Sequence, residues 1–394
     1  MSCPLLKKWE NNWKLSNAGK VVDVEIKPVT GIKSLKQFVS FPYFLYAGNP
    51  FWVPQLRFTE LQTFRWDKNP AFEFCEVKYW LAFKNGKIVG RIAGILNNRY
   101  IETWGKKTLR FGYIEFIDDE QVSEALLKTV EIWAKEKGMQ SVHGPLGFTD
   151  LDPEGMLVEG FEEFGTMGAI YNFSYYPVHL EKYGYQKDAD WVEFEVKVPA
   201  GIHEKLKRLA DVVSRKNNLK VLRIKRSKEL LPYAKEIFHV LNESYKGLYG
   251  VVPLTERQID MYINQYFRLV RHDYISIILD REDRVAAFGI TIPSLAKALR
   301  KAWGNMFPFG FIHLLRALQK NDTVEMCLIA VRPDFQGKGV NALLMHEFNK
   351  IYVRHNILKA ETNPELETNN KVQSQWKFFD TRQHKRRRCY IKYV

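Results

Sequence analysis

The chain has 394 residues, 46% hydrophobic and 14% aromatic, with 59 Lys and Arg against 45 Asp and Glu for a formal net charge of +14. The length suits two domains and the composition is that of an ordinary globular chain. No apolar run approaches the ~20 residues that span a bilayer, so a membrane span is not expected. The four cysteines, Cys3, Cys75, Cys327 and Cys389, show no paired spacing. Neither a bound metal nor a disulfide framework is expected from them, and a reducing cytoplasm is the simplest compartment. Met1 to Lys14 carries three lysines but no apolar core after them, so it does not read as a secretory leader. The basic balance raises the prospect of an anionic partner: nucleic acid, a membrane surface or a phosphorylated ligand.

In chain order, residues 1–20 read as a polar arm and Val21 to Lys27 as a strand, with Val22, Val24 and Ile26 alternating. Ile32 to Tyr46 reads as a helix ending at Gly48-Asn49-Pro50. Val77–Phe83 and Ile88–Ile95 flank Asn85-Gly86, a hairpin signal. Leu109–Ile117 is a strand, and Gln121–Lys137 an amphipathic helix stopped by Gly138. A short strand at Ser141–His143 runs into a Gly- and Pro-rich stretch, and Trp191–Val198 is a further strand. The order then repeats: strand 219–224, helices 228–245 and 255–270, and a hairpin of 274–279 with 284–292. Helical segments follow at 295–301 and 312–320, then strand 323–331, helix 341–354, strand 358–361, helix 368–379 and a closing strand 389–394. Strands mixed with helices in this order imply an α/β fold, with a mixed, mostly antiparallel sheet in each half and helices on both faces. A cut near Pro199 gives two halves of similar length.

The segment Val331-Arg332-Pro333-Asp334-Phe335-Gln336-Gly337-Lys338-Gly339-Val340 leaves an apolar strand and enters a helix. Its two glycines allow a tight turn that gathers N–H groups into a concave array. The helix beyond adds its positive dipole end and unpaired amides, and Lys338 adds a point charge. A pyrophosphate is the natural guest, and a plain Gly-rich turn is the bland alternative. The spacing is not a dinucleotide fingerprint, and no Ser or Thr follows the lysine as in a Walker loop.

Val331, Pro333, Gln336, Gly337 and Gly339 resemble the acetyl-CoA loop of the GNAT acetyltransferase superfamily. Asn341 stands where that family prefers Gly or Ala. The resemblance covers 219–394 by element order and 323–345 by motif, and it points to the uncharacterised bacterial tandem members. It implies acetyl-CoA or another acyl-CoA as cofactor, with no metal. Amides of Gln336, Gly337, Lys338, Gly339, Val340 and Asn341 would cradle the phosphates. Leu328, Ile329, Ala330 and Val331 would line the pantetheine arm as an added strand. Asn369 and Asn370 provide the Asn that precedes the family's acidic Tyr, with Asn370 the expected cofactor contact, but Trp376 stands about where that Tyr belongs.

The resemblance further implies direct acyl transfer to a bound amine, with a base for the ammonium and an acid for the thiolate. Glu325 is the carboxylate suited to the base, or else an exposed strand residue. Tyr390 is a candidate acid, or else a structural tyrosine. In the first half, Asp118-Asp119-Glu120-Gln121 takes the place of the phosphate loop, and carboxylates there would repel a pyrophosphate. Residues 21–199 are therefore expected to be a degenerate GNAT-like domain without cofactor, and 200–394 the acyl-CoA-binding one.

The stretch Gly144–Gly168, with Asp152 to Phe164 and then Tyr171 to Tyr176, is either an irregular packed connection or a wall for the acceptor at the seam. The run Lys385-Arg386-Arg387-Arg388 reads as a solvated strand or loop, or as an anion contact. Nucleic acid is disfavoured because no recognised motif accompanies it. The expected partner is a small-molecule or peptide amine; its identity, the acyl length and the oligomeric state stay open. Two other functions stay open as well. One is a Fem-type transferase using charged tRNA, against which the intact loop argues. The other is a CoA-binding module without catalysis, which Trp376 favours.

Overall fold

Asn85 and Gly86 both hold positive φ, 53° and 70°, the combination that a tight two-residue hairpin turn requires. In the computed structural model, which describes residues 23–267 and 271–394, this turn joins the first of several hairpins. The expected arm, Val21, Val22 and the end of the expected 255–270 helix lie outside the described residues. The first half contains β1 (Glu25–Pro28), α1 (Ile32–Leu45), α2 (Arg57–Thr63), β2 (Cys75–Lys84), β3 (Lys87–Asn97) and α3 (Asn98–Trp104). It continues with β4 (Thr108–Phe116), α4 (Glu120–Glu136), β5 (Ser141–Gly144), β6 (Met156–Glu159), α5 (Tyr175–Lys182) and β7 (Gln186–Lys197). The second half contains α6 (Glu204–Lys216), β8 (Lys220–Val221), α7 (Leu231–Tyr245), α8 (Glu256–Tyr262), β9 (Ile275–Leu279) and β10 (Val285–Pro293). After α9 (Ala296–Ala302) and α10 (Gly310–Gln319) come β11 (Thr323–Val331), α11 (Val340–Arg354), β12 (Lys359–Thr362), β13 (Glu365–Leu366), α12 (Asn370–Gln373) and β14 (Asp380–Tyr393).

All the strands join one mixed sheet, ordered β1-β2-β3-β4-β5-β14-β7-β12-β11-β10-β9-β8, with β6 beside β14 and β13 beside β7. Each half is closed by the last strand of the other. β7 pairs with β12 of the second half, and β14 lies between β5 and β7 of the first. A cut at Pro199 therefore severs the chain but not the sheet.

Both halves seat a helix on a hairpin strand at a glycine. A Cβ on Gly94 of β3 would lie 2.8 Å from the Trp133 ring of α4. One on Gly289 of β10 would lie 2.2 Å from the Phe348 ring of α11. Each helix thus packs its apolar stripe directly on backbone. Around these contacts lie two separate cores, one with Phe111, Phe116, Leu126 and Trp133, the other with Val324, Met345, Phe348 and Tyr352. Among the described residues, no helix is long and apolar enough to cross a membrane.

The basic run departs from expectation. Residues 385–388 lie inside β14, and Lys385 and Arg387 are 2% and 1% exposed. Arg387 Nε donates to Glu193, Arg388 Nε donates to Asp190 Oδ1 at 2.9 Å, and Lys385 Nζ lies 3.5 Å from Glu361 Oε2. Lys385 and Arg387 are therefore buried against carboxylates of β7 and β12, while Arg386 and Arg388 are half-buried and pair with Asp190 of β7. The expected helix at 368–379 is shorter, with α12 followed by a 3-10 stretch at 374–378.

Candidate active site

β11 and β12 run parallel and in register from Thr323↔Lys359 to Met326↔Thr362, and then they part. The Asn363 side chain marks the fork, donating from Nδ2 to Cys327 O at 2.5 Å. Beyond it, Leu328, Ile329, Ala330 and Val331 stay paired with β10 alone. Arg332 N donates to Ala286 O at 2.8 Å. Antiparallel alternation from that bond turns the polar backbone of Ile329 and Val331 towards the open side. Helix α7 meets those carbonyls: Tyr245 Oη donates to Ile329 O at 3.1 Å and Ser244 Oγ to Val331 O at 2.9 Å.

The loop after β11 is held by Arg332, whose guanidinium binds Asp334 Oδ1 at 2.7 Å and Asp280 Oδ2 at 2.7 Å. Gln336 Nε2 folds back onto Val331 O at 3.0 Å. Gly337 and Gly339 have φ of 75° and 79°, a left-handed conformation that glycine adopts without strain. Gly339 is the N-cap of α11 and supplies no side-chain cap to the helix amides. Residues 336–339 are exposed, while Val340 is buried and Asn341 half-buried. A glycine turn with an uncapped helix start suits an anion.

The matching element of the first half is built differently. Asp119 caps α4 by accepting from Gln121 N at 3.0 Å, and it pairs with Lys84 at 2.6 Å. Beside β4, the segment after Gly144 takes the position that stands open beside β11. Leu146 N donates to Phe111 O at 2.9 Å, and Leu146 O lies 2.2 Å from where a Cβ on Gly112 would be.

Glu325, two residues before the fork, is not an exposed strand residue: it is 3% exposed. It accepts from Ser294 Oγ at 2.6 Å and from Met167 N at 3.2 Å. Burial pushes its carboxyl up to about 7, the Ser294 hydrogen bond pulls it down, and Glu361, its register partner on β12, pushes it up again. A carboxyl poised near neutrality can hold or release a proton under ordinary conditions.

Tyr390 is not brought to this site. It is fully buried in the core of the first half, and its hydroxyl donates to Glu181 Oε1 at 2.9 Å. Asn370 opens α12, and its neighbour Asn369 caps that helix by accepting from Val372 N at 3.3 Å. Trp376 is buried and donates to Glu365 Oε1 at 3.1 Å; burial pushes Glu365 up to about 7.

The long loop of the first half reaches Glu325 through Met167. Gln55 Nε2 holds Met167 from the other side, donating to its carbonyl at 2.5 Å. Gln55 also lines a cavity of about 80 Å³ that opens to solvent. The loop contributes Met156, Ala169, Ile170 and Tyr171 to that cavity, and β3 and β4 contribute Arg91, Tyr113 and Glu115. Arg91 is buried, with Nε bonded to Glu115 and Nη1 donating to Phe38 O at 2.8 Å. Burial pushes nearby Glu60 up to about 7, and Tyr113 Oη is buried with no hydrogen-bond partner. Sequence reasoning missed Gln55, Glu60, Arg91 and Tyr113. The one available signal was Arg91, a charge in the middle of an apolar hairpin strand.

No family model matches the chain. It is 30% identical over 370 residues to Protein YghO of Escherichia coli (strain K12), which covers 91% of this chain and 93% of that protein. It is 26% identical over 325 residues to the bacterial ceramide synthase of Caulobacter vibrioides, covering 80% and 82%. Among solved structures, a tandem GNAT protein from the clavulanic acid biosynthesis pathway superposes with a TM-score of 0.54 at 11% identity, covering 94% of this chain and 98% of that one. A GCN5-related glucosamine N-acetyltransferase region in a fungal multi-domain β-N-acetylglucosaminidase gives 0.53 at 12% identity, covering 96% and 39%. The interlocked halves, the fork between β11 and β12 and these similarities agree: the chain has the tandem GNAT fold and belongs to the same family as YghO.

Proposed function

We propose that the chain is an N-acyltransferase that moves an acyl group from acyl-CoA to a primary amine. The observation that carries this reading is the continuity of one strand. β11 offers open backbone at Ile329 and Val331, ends in the glycine loop, and holds the buried Glu325 two residues before the fork. CoA would lie along Leu328–Val331 with its pyrophosphate on the amides from Gln336 to Asn341. For its arm to pair with β11, Tyr245, Ser244 and Gln336 must give up their bonds to the strand carbonyls. The filled strand edge and capped helix in the first half support a single cofactor per chain.

In the reaction, the amine nitrogen attacks the thioester carbonyl carbon. A C–N bond forms, the C–S bond breaks, and the nitrogen's proton goes to the Glu325 carboxylate. The thiolate leaves as CoA and takes a proton from water, since Tyr390 is remote from the fork, and the hydroxide left behind takes the proton from Glu325, which restores the carboxylate and the water. Ser294 Oγ and Met167 N keep the carboxylate oriented. The gain from holding amine and thioester side by side supplies much of the rate.

The bacterial ceramide synthase relative supports an acceptor that is a long-chain amine, since a ceramide is an N-acylated long-chain amine. The cavity beside Gln55 places polar groups, Glu60 and Arg91 among its lining, one loop away from Glu325. The test is to incubate the protein with acetyl-CoA or palmitoyl-CoA and a set of short and long-chain amines. Free thiol and amide mass are followed together. The reading expects amide and thiol in equal amounts, and both lost in Glu325→Gln. CoA binding with no thiol release for any pair would select the non-catalytic module, which the engaged Trp376 favours.

A further inference from the structure

Between β10 and β11 the chain leaves the sheet for the α9–α10 excursion, and the tip of that excursion is apolar and uncovered. All five residues 305–309 are exposed, with Phe307 at 79% and Phe309 at 66%. Met306, Phe311 and Leu315 extend the patch, and the Phe307 and Phe311 rings lie 6.1 Å apart. Scattered exposed apolar residues need no explanation, but a contiguous aromatic cluster marks an interaction site.

The charge carried by the excursion itself has one sign. Residues 285–320 contain Lys297, Arg300, Lys301, Arg316 and Lys320 and no Asp or Glu. Lys297 lies 4.0 Å from Asp322. Lys301, Arg316 and Lys320 have no carboxylate partner among the described residues. The base of the excursion is fixed. Ala296, Ala298, Leu299 and Leu314 pack with Val53 and Met167, and Arg57 N donates to Gly304 O at 3.0 Å. Ser294, which holds Glu325, stands two residues before α9.

We propose that this tip docks the protein on an anionic lipid bilayer, with Phe307, Phe309 and Phe311 entering the headgroup boundary and Lys301, Arg316 and Lys320 facing the lipid phosphates. Aromatic side chains that enter the interface beside cations on anionic lipid are the two terms of peripheral membrane binding. Charge complementarity commits the surface to that occupant: five consecutive exposed residues make a projection rather than a groove, and a fluid surface accepts a projection without a matching cavity. Docking does not depend on the chemistry at Glu325. It gives a lipid amine a short route to the cavity, because the base of the tip packs on Met167.

The experiment sediments the full chain with vesicles of phosphatidylcholine alone and with vesicles containing about 30% phosphatidylglycerol. Wild type is expected to bind the anionic vesicles roughly tenfold or more tightly than the neutral ones. Phe307→Ser with Phe309→Ser should lose roughly tenfold or more on both, and the triple change Lys301→Gln, Arg316→Gln, Lys320→Gln should lose affinity only on the anionic vesicles. Unchanged melting temperature and CoA affinity establish that the variants fold. As a second readout, tryptophan emission of Phe307→Trp should shift to the blue, beyond any shift of wild type, when anionic vesicles are added. No sedimentation of wild type, or sedimentation unaffected by the phenylalanine changes, overturns the proposal. So does a Phe307-dependent dimer in solution without vesicle binding, which would make the tip a contact between copies.

Discussion

Met167 and Glu325, 158 residues apart, meet in one hydrogen bond: the Met167 amide donates to Glu325 Oε2 at 3.2 Å. The bond ties the long loop of the first half to β11 of the second. It accounts for the interlocked sheet in functional terms, because a half that drifted would move the loop off the carboxylate. Three expectations follow from this arrangement and from the loop after β11, and a fourth from the charge pairing of β14 with β7.

Glu325→Gln removes the proton acceptor but keeps the shape of the side chain. Acyl transfer should fall by ~100-fold or more while CoA affinity stays nearly the same. Steady-state rates with calorimetry on the same preparations check this. A rate within about threefold of wild type would leave Glu325 a structural role.

The same variant should have a pH signature in stability. Folded Glu325 keeps its proton up to about 7, against an ordinary 4.5. Between those values the folded state binds more protons than the unfolded one, so this group's contribution falls as pH rises through the window. Gln does not titrate. Relative to wild type, Glu325→Gln should therefore gain stability between pH ~4.5 and ~7, by on the order of 3 kcal/mol at most. Urea unfolding of both proteins across that range reads it. In activity the sign reverses: wild-type turnover should rise with pH up to about 7 as the base loses its proton.

Gly337→Glu and Gly339→Glu should each lower CoA affinity by roughly tenfold or more, by charge and by strain at positive φ. The two differ in steric surroundings. A Cβ on Gly337 meets nothing within 4 Å, whereas one on Gly339 comes to 3.1 Å of Val213. Gly337→Ala should therefore be the milder alanine change in a calorimetric series.

Arg387→Met should destabilise the fold by about 3–5 kcal/mol, because it strips the main partner from the fully buried Glu193. Adding Glu193→Gln should recover part of that loss, read by urea unfolding. Equal stability of wild type and the single variant would contradict the pairing.

Legibility in the sequence followed how local each signal was. The bounds of β11 match the expected 323–331, and α11 begins one residue before its expected start, because a hydrophobic run meets a glycine turn there. The Asn85-Gly86 hairpin was equally readable. β14 was not. Its first nine residues carry seven charged or histidine side chains, and what lets Lys385 and Arg387 be buried there is carboxylates on β7 and β12, remote in the sequence. For the same reason the burial of Glu325 was invisible, since Ser294 and Met167 cover it from two other segments. Tyr390 had the right residue type on the closing strand. No pattern in one sequence said that this strand closes the other half.

The central claim is that one acyl-CoA lies along β11 with its thioester at Glu325. The measurement that tests it most directly is a crystal structure with a non-reactive thioether analogue of acyl-CoA. The account expects one molecule per chain, its phosphates on Gln336 to Asn341 and its sulfur at the fork by Cys327, within reach of Glu325 through a bound amine or one water. Two molecules per chain, one bound at Asp119, or a sulfur remote from Glu325 would contradict it.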